Sequence, residues 1–553
     1  MFNRPAVPKP FAFTALTGIL LMFAASCVGS RSRDGLSPYL KEQKNRGLQS
    51  VVVNKSSPSY LASLEFDQWL RGQLPKERTS ELEQSCRSDS RHSPFCYSLL
   101  NFSTLEARRE AAKTKQKRKN FSRILVPKFK NGTVSNWLDL RFSPVISSLR
   151  GLNRSKPEEI ESLRKKALAE EACPNNIAIS LAAFLEDGLP NKTTYSAIAE
   201  LYEKGGKCPL ENPGDSETLT TRAGLLYFAD NQHQKAESCL KTSSQDKDAF
   251  RARALYWLSK VYQEKGDSSL ARETLKELKT KYPFSFHTLM ALHSVKEDPG
   301  VVLKKSNPSL ITRSEQMPHL NNLIEQVELL NENGFQRSAD KVLSWILTDS
   351  EKAEPELMIY VSDLKQSQGN YLGQLQILTD VLYANPHLTS KSTMERYFPK
   401  LYFPVFEKHS QGVDPYLLMS IARRESAFNP RAVSRARAKG LMQIAPQTQR
   451  RLSSTKNVFD PEANISMGSR YVSNLVKRSN GLIHLALAGY NAGPNRVDLW
   501  LARYPTADPV LFIDLIPFKE TREYVASVLR NYYWYRRLHT EDSPQTVDAL
   551  LKN

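Results

Sequence analysis

The sequence predicts an all-α protein: a helical-repeat superhelix followed by a compact, α-rich second domain. Two observations carry this. Between about residues 150 and 395, apolar helical runs recur with Gly- or Asn-containing turns between them. Beyond Pro399 and Pro404, buried-type helical runs end repeatedly in polar residues. The composition agrees: 40% hydrophobic and 24% charged residues sit near globular averages and exclude a collagen-like, wholly disordered or polytopic membrane chain. At 553 residues there is room for three or four domains of roughly 100–200 residues each.

Residues 1–26 read as a secretory leader, with Arg4 and Lys9 before an apolar stretch from Phe11 to Phe23 and small residues at Ala24-Ala25-Ser26. The stretch is shorter than the roughly 20 residues a membrane span needs. Cys27 follows directly, as in a bacterial lipoprotein box, although Ala24 stands where leucine is usual; lipidation of Cys27 and ordinary soluble secretion both fit. Residues 27–60, rich in Ser, Arg and Lys, suit a flexible tether. Setting Cys27 aside leaves Cys86, Cys96, Cys173, Cys208 and Cys239, enough for at most two internal disulfides. Cys86–Cys96 is the first candidate, and Cys208 could join Cys173 or Cys239.

Residues 61–150 form a basic helical region. From 101 to 130 ten Lys or Arg face only Glu106 and Glu110, which suits a solvated helix face or a docking patch for an anionic polymer. The whole chain has 77 Lys plus Arg against 58 Asp plus Glu, and the formal charge of +19 predicts attraction to polyanions. Export and the sparse aromatic interleaving argue against nucleic acid as that polyanion.

The superhelix is assigned to 151–395. Its clearest unit, ARALYWLSKVYQEKGDSSLARETLKELKTKYP at 252–283, is an apolar helix, a Gly266-Asp267 turn, a second helix carrying Ala271, Leu275 and Leu278, and a Pro283 stop. That is the layout of a tetratricopeptide-type hairpin. Weaker copies run from Leu225 to Leu240 around Ala236, from Val327 to Leu343 around Asn333-Gly334, and from Leu364 to Pro386 around Gly369-Asn370. One hairpin cannot bury its own apolar face, so neighbours should stack.

The chemistry is expected in 396–540, with 541–553 as a tail. In DPYLLMSIARRESAFNP (414–430), Leu417, Leu418, Ile421 and Ala422 give a helix a buried face, and Glu425 stands at its end. A carboxyl there, opening into a cleft, is held protonated by desolvation, as cleavage of a glycosidic bond requires. The bland alternative is a surface acid paired with Arg423 or Arg424. Gly440-Leu441-Met442-Gln443 is read as a helix-starting glycine followed by an amide that both donates and accepts. ALAGYNAGP (486–494) ends an apolar helix in Tyr490 and Asn491, and IPFKETREYV (516–525) sets Glu520 beside Arg522 and Tyr524. His484, in an apolar run, is expected to be a core histidine, and no His/Cys spacing suggests a metal.

In the order ES, GLMQ, YNAG, PFxETRxYV, this region resembles the soluble, lysozyme-like lytic murein transglycosylases. The resemblance covers about 396–540, and the helical repeats look like the superhelical region of that family's large members. It implies cleavage of the β-1,4 bond between N-acetylmuramic acid and N-acetylglucosamine in peptidoglycan, with Glu425 as the single catalytic acid/base. It further implies that Ser426, Ser434, Gln443, Tyr490, Asn491 and Glu520 bind substrate or organise the cleft. The sugar's own 6-hydroxyl would close a 1,6-anhydro ring without water, no cofactor or metal being needed. A lysozyme-like hydrolase using Asp460 or Glu520 as a second carboxylate, and a noncatalytic cell-wall scaffold, are the competing expectations. Partners would be glycan strands and the anionic envelope surface, and the location the periplasm, with an outer-membrane anchor if Cys27 is lipidated. Two departures stand out: SRARAKG places Arg437 where the family usually has glycine, adding bulk or a charge toward the peptide stem, and Ala445 replaces a common methionine.

Overall fold

The computed structural model describes residues 55–88, 94–124, 128–129, 132–133, 157–169, 177–187, 195–207, 213–243, 250–304, 307–452, 457–540 and 551. The expected leader, Cys27, most of the tether, Cys173, Cys208 and nearly all of the tail lie outside these residues. Within them the regular structure is helical, apart from one antiparallel pairing of β1 (Lys128–Phe129) with β2 (Gly132–Thr133) and a few isolated bridges.

Three helices come first: α1 (Pro58–Leu70), α2 (Lys76–Ser88) and α3 (Pro94–Ile124). Ser57 starts α1 by accepting the Tyr60 amide at 3.1 Å. The expected Cys86–Cys96 disulfide is present and joins α2 to α3. Cys239 is a free, buried thiol, which removes it as a partner for Cys208. Of the basic 61–150 region, the side chains from residue 112 on, eight of the ten cations of 101–130 among them, lie outside the described residues. The helices of this region pack on repeats more than 200 residues later, where Trp345 donates to Glu106 at 2.6 Å, Lys341 pairs with Glu106 at 2.7 Å and Ser338 bonds to Asp67.

The repeat helices follow: α4 (Pro157–Ala169), α5 (Ile177–Asp187), α6 (Tyr195–Gly206), α7 (Pro213–Ala229), α8 (His233–Ser243), α9 (Phe250–Lys265), α10 (Ser268–Lys281), α11 (Phe286–Ser294), α12 (His319–Glu332), α13 (Gln336–Ile346), α14 (Pro355–Ser367), α15 (Tyr371–Ala384) and α16 (Lys391–Tyr397). All four expected hairpins form, as α7/α8, α9/α10, α12/α13 and α14/α15. Each turns on the same device. A residue at positive φ (Asn231 58°, Gly266 80°, Gly334 83°, Gly369 74°) ends the first helix. The next amide then returns to a carbonyl of the last turn: Gln232 to Tyr227, Asp267 to Tyr262 and Phe335 to Leu330 at 2.8 Å, and Asn370 to Lys365 at 3.1 Å. Ala236, Ala271 and Ala339 are buried where the paired helices meet.

The remaining helices are α17 (Phe403–Lys408), α18 (Pro415–Ser426), α19 (Pro446–Leu452), α20 (Pro461–Arg478), α21 (Ile483–Ala492), α22 (Pro494–Arg503), α23 (Pro509–Leu515) and α24 (Lys519–His539). α18 and α21 pack against α24, which buries Val525, Val528, Leu529 and Tyr532. α23 and the first turn of α24 are seated on the repeats through a buried charged seam. There Asp514 accepts from Arg253 Nε at 2.7 Å, Trp257 Nε1 at 2.7 Å and bonds His287 Nε2 at 2.8 Å. Arg253 also reaches Glu523 at 2.9 Å. Arg222 pairs with Glu186 and donates to the carbonyls of Asp514 and Leu515 at 3.2 and 2.7 Å. Arg253 and Arg222 thus each have an opposite charge, which offsets the cost of their burial, while Arg522 in the first turn of α24 donates, among the described residues, only to the Ile516 carbonyl at 2.7 Å.

Candidate active site

Helix α18 is set by Asp414, whose carboxylate accepts the Tyr416 amide at 2.8 Å, with Pro415 at the first helical position. From there Tyr416 to Arg423 are all buried, and Glu425 emerges half-buried in the last turn. The helix stops abruptly because Ala427 and Phe428 both take positive φ, 48° and 61°. Two consecutive non-glycine residues in that region store backbone strain beside the candidate acid.

Neither neighbouring arginine forms the surface pair weighed for Glu425. Arg423 turns inward, donates to the Tyr397 carbonyl and lies 4.6 and 4.5 Å from the rings of Tyr397 and Phe398. Arg424 is exposed, with its guanidinium 6.0 Å from the Tyr524 ring centre. Burial therefore dominates and pushes the Glu425 carboxyl up from 4.5 to about 7. The Tyr524 hydroxyl and Arg424 pull the other way, and the Glu520 carboxylate adds to the rise. The position at a helix C-terminus also disfavours the charged form.

The GLMQ segment is not a helix start. Gly440 lies in a turn at φ 79°, and the helix begins only at Pro446. The physical reason is crowding. A Cβ on Gly440 would sit 2.2 Å from Asn464 Nδ2 and 2.4 Å from the Val458 carbonyl oxygen. Short bridges pair Val433 with Lys439 and Lys439 with Ile444. Asn464 on α20, fully buried, locks the turn by accepting the Met442 amide at 2.8 Å and donating to the Lys439 and Val458 carbonyls at 2.9 and 2.7 Å. Gly468, one turn on, leaves room for the Met442 side chain, whose sulfur would lie 2.3 Å from any Cβ there.

The structure brings Glu425, Ser426 and Tyr490 together, with Gln443 in the turn that Ser426 and Tyr490 hold and Asn491 next to Tyr490 at the end of α21. Ser426 Oγ donates to the Leu441 carbonyl at 2.7 Å, tying the end of α18 to the turn. Tyr490 donates to the Met442 carbonyl at 2.6 Å, and its ring stacks parallel on Tyr524 at 6.4 Å. Gln443, itself at φ 47°, donates through its side-chain nitrogen to the Ala432 and Gly440 carbonyls at 3.1 and 2.9 Å. Asn491 accepts from Thr521 at 2.7 Å, joining α21 to α24. Ser434 lies farther out on an exposed loop, where its hydroxyl accepts the Ala438 amide at 3.0 Å. Glu520 is exposed in the first turn of α24, within electrostatic reach of Glu425. Asp460 is occupied capping α20 through the Ala463 amide at 2.8 Å.

Sequence reasoning named Tyr524 beside Glu520 without giving it a role, and did not single out Asn464 or Gly468. Tyr524 is four residues after Glu520 on α24, a spacing that puts both on one helix face, and this was the available signal. Its buried hydroxyl has no hydrogen-bond partner among the described residues and lies within electrostatic reach of the Glu425 carboxyl. Asn464 and Gly468 lie in a helix whose sequence gives no sign that its buried face must hold a turn. His484 is a core residue, packed on Phe512 and pushed down to about 4 by burial. Among the described residues no group of three His, Cys, Asp or Glu is placed to hold a metal, and no helix is long and apolar enough to cross a membrane.

Residues 405–512 match the Transglycosylase SLT domain family, and residues 253–285, the α9/α10 hairpin, match the Tetratricopeptide repeat. The chain is 28% identical over 324 residues to the soluble lytic murein transglycosylase of Escherichia coli K12, covering 56% of this chain and 47% of that protein. It is 37% identical over 103 residues to a membrane-bound lytic murein transglycosylase F of Pseudoalteromonas translucida, 18% of this chain and 22% of that one. It spans about half the length of the soluble curated relatives it matches. Among solved structures, an inactive mutant of lytic transglycosylase Slt from Pseudomonas aeruginosa aligns with a TM-score of 0.51 at 19% identity, covering 91% of this chain and 86% of that one. A 70-kDa soluble lytic transglycosylase in complex with bulgecin A aligns with a TM-score of 0.50 at 19% identity, covering 93% and 86%. Residues 405–512 thus match the transglycosylase SLT domain family, and the chain as a whole has the all-α fold seen in soluble lytic transglycosylases.

Proposed function

We propose that the protein is an exported peptidoglycan lytic transglycosylase in which Glu425 acts as the single acid and base. The observation that carries this is the Glu425 carboxyl, half-buried at a helix end and raised to about 7, so that a large fraction is protonated near neutrality. Protonated Glu425 gives its proton to the leaving glycosidic oxygen. The charge on the anomeric carbon is relieved by the neighbouring N-acetyl group or as an oxocarbenium ion. The resulting carboxylate then takes the proton from the muramic 6-hydroxyl as that oxygen bonds to the anomeric carbon. The proton count closes and no water is consumed.

In this reading Gln443, Tyr490 and Asn491 line the cleft. Ser426 and Ser434 hold the turn and the loop, and Glu520 keeps the Glu425 proton in place by repulsion. Hydrolysis by a carboxylate pair is less favoured, because Asp460 is held in a helix cap and Glu520 is exposed. The division into a superhelix over 151–395 and a catalytic domain over 396–540, export through residues 1–26, a periplasmic location and an anchor at Cys27 belong to the same proposal. The family of the matched domain and its relatives support the murein activity, while export and the Cys27 anchor rest on the sequence pattern of residues 1–27.

Mass spectrometry of muropeptides released from purified sacculi tests it. Fragments ending in 1,6-anhydro-N-acetylmuramic acid, one water lighter than hydrolytic products and absent with Glu425→Gln, are expected. Reducing ends would mean a hydrolase, and sacculus binding with no release would mean a scaffold.

A further inference from the structure

The loop from Arg431 to Lys439 carries four cations, Arg431, Arg435, Arg437 and Lys439, and no Asp or Glu. The three arginines are exposed, and none has an acidic partner among the described residues. An unpaired basic segment is ordinarily a solvated surface. This one is not free to move. The Arg437 amide returns to the Ser434 carbonyl and the Ser434 amide to the Ala438 carbonyl, both at 2.9 Å. The Gly440 amide closes the loop on the Ala432 carbonyl at 2.9 Å, and Gln443 Nε2 holds the same carbonyl from the cleft side.

Two further features set the loop apart. Arg437 occupies φ 61°, a conformation glycine adopts freely and a residue with a Cβ resists. Val433 leaves 58% of its surface exposed beside the arginines. The backbone of the loop is thus one hydrogen bond from Gln443, and the loop carries exposed arginines and a small apolar face. Guanidinium forks match carboxylates in geometry as well as charge, and a branched aliphatic side chain suits short alkyl groups.

Building on the activity proposed above, we infer that the Arg431–Lys439 loop is a specificity rim. Arg435 and Arg437 read the free carboxylates of the peptide stems on the glycan strand, and Val433 contacts their methyl-bearing residues. Stems with free carboxylates are then preferred over stems whose carboxylates are amidated, and the preference weakens with salt because the contacts are exposed.

The test compares kcat/KM on two preparations of the same glycan chains, one with free stem carboxylates and one with those carboxylates amidated. Wild type is expected to prefer the free form about tenfold at low ionic strength, two exposed charge contacts supplying that much. Arg435→Gln/Arg437→Gly, which also relieves the left-handed strain, should bring the ratio below about threefold, and Arg435→Lys/Arg437→Lys, which keeps the charge and loses the fork, should fall between that value and wild type. A double variant that keeps the wild-type ratio, or a wild type without preference, overturns the inference. Failure of wild type to cleave either preparation contradicts the proposed activity instead. The same ratio is then read from pelleting of the protein with each glycan, where equal binding overturns the rim.

Discussion

Asp514 in the seam and Glu425 at the candidate active site are both acids removed from bulk water, yet one is held below the usual carboxylate range and the other raised above it. Asp514 is fully buried, but Arg253, Trp257 and His287 all bond its two oxygens, and the charged surroundings hold it below the usual carboxylate range. Glu425 keeps an opening to solvent, has one tyrosine hydroxyl within electrostatic reach, and rises to about 7. Asp363 lies between them: buried with a single arginine, Arg396 at 3.1 Å, and one oxygen unpartnered, it is pushed up to about 6. The number of donors aimed at a buried carboxyl, rather than burial itself, decides whether it anchors structure or stores a proton. The seam spends its arginines on holding α23 and α24 to the repeats, and the cleft leaves its acid under-supplied.

The largest test of this contrast is Asp514→Asn, which leaves Arg253 without its buried counter-charge. A loss of about 3–5 kcal/mol is expected by calorimetry at pH 7. Because the folded-state pKa of Asp514 is depressed, its contribution is present above the unfolded value of about 3.8 and lost as pH falls, so the gap between variant and wild type should narrow below pH 4. A loss under about 1 kcal/mol would mean the donors do not depend on it.

Glu425→Gln should do the reverse. A raised carboxyl pKa favours the fold fully below pH 4.5, and that benefit is lost as pH rises through about 7. At pH 8 the variant should be more stable than wild type by at most about 3 kcal/mol, with no difference below pH 4.5. A variant less stable at every pH would show that the carboxylate is held by partners as Asp514 is.

Gly440→Ala should cost about 1–3 kcal/mol in urea unfolding, since φ 79° and the Val458 carbonyl leave no room for a Cβ. Activity should fall with it. Tyr524→Phe is the smallest change. Losing the hydroxyl removes an influence that lowers the Glu425 pKa, so the alkaline limb of the rate profile should move up by about half a pH unit. Movement downward would contradict the assigned influence.

The hairpins were legible because their signals are local: an apolar helix, a Gly or Asn turn, a small residue on the return helix. Asn231 shows the limit of that rule, performing at φ 58° the role that glycine has in the other three turns. The candidate acid was legible from the apolar face preceding it, and Tyr490 and Asn491 from the helix they end. Gly440 was misread, because the neighbours that crowd it, Asn464 and Val458, come from another element and leave no mark on the GLMQ segment. The seam was wholly illegible. Asp514 pairs with residues 227 to 261 positions away, and nothing in a single sequence links such distant charges.

The most direct test is the pH dependence of kcat/KM on purified sacculi for wild type and Glu425→Gln. The predicted result is an alkaline limb with an apparent pKa of about 7 in wild type and a rate at least about a thousandfold lower at every pH in the variant. A wild-type profile flat to pH 9, or a variant within tenfold of wild type, would contradict the assignment of Glu425 as the protonated acid.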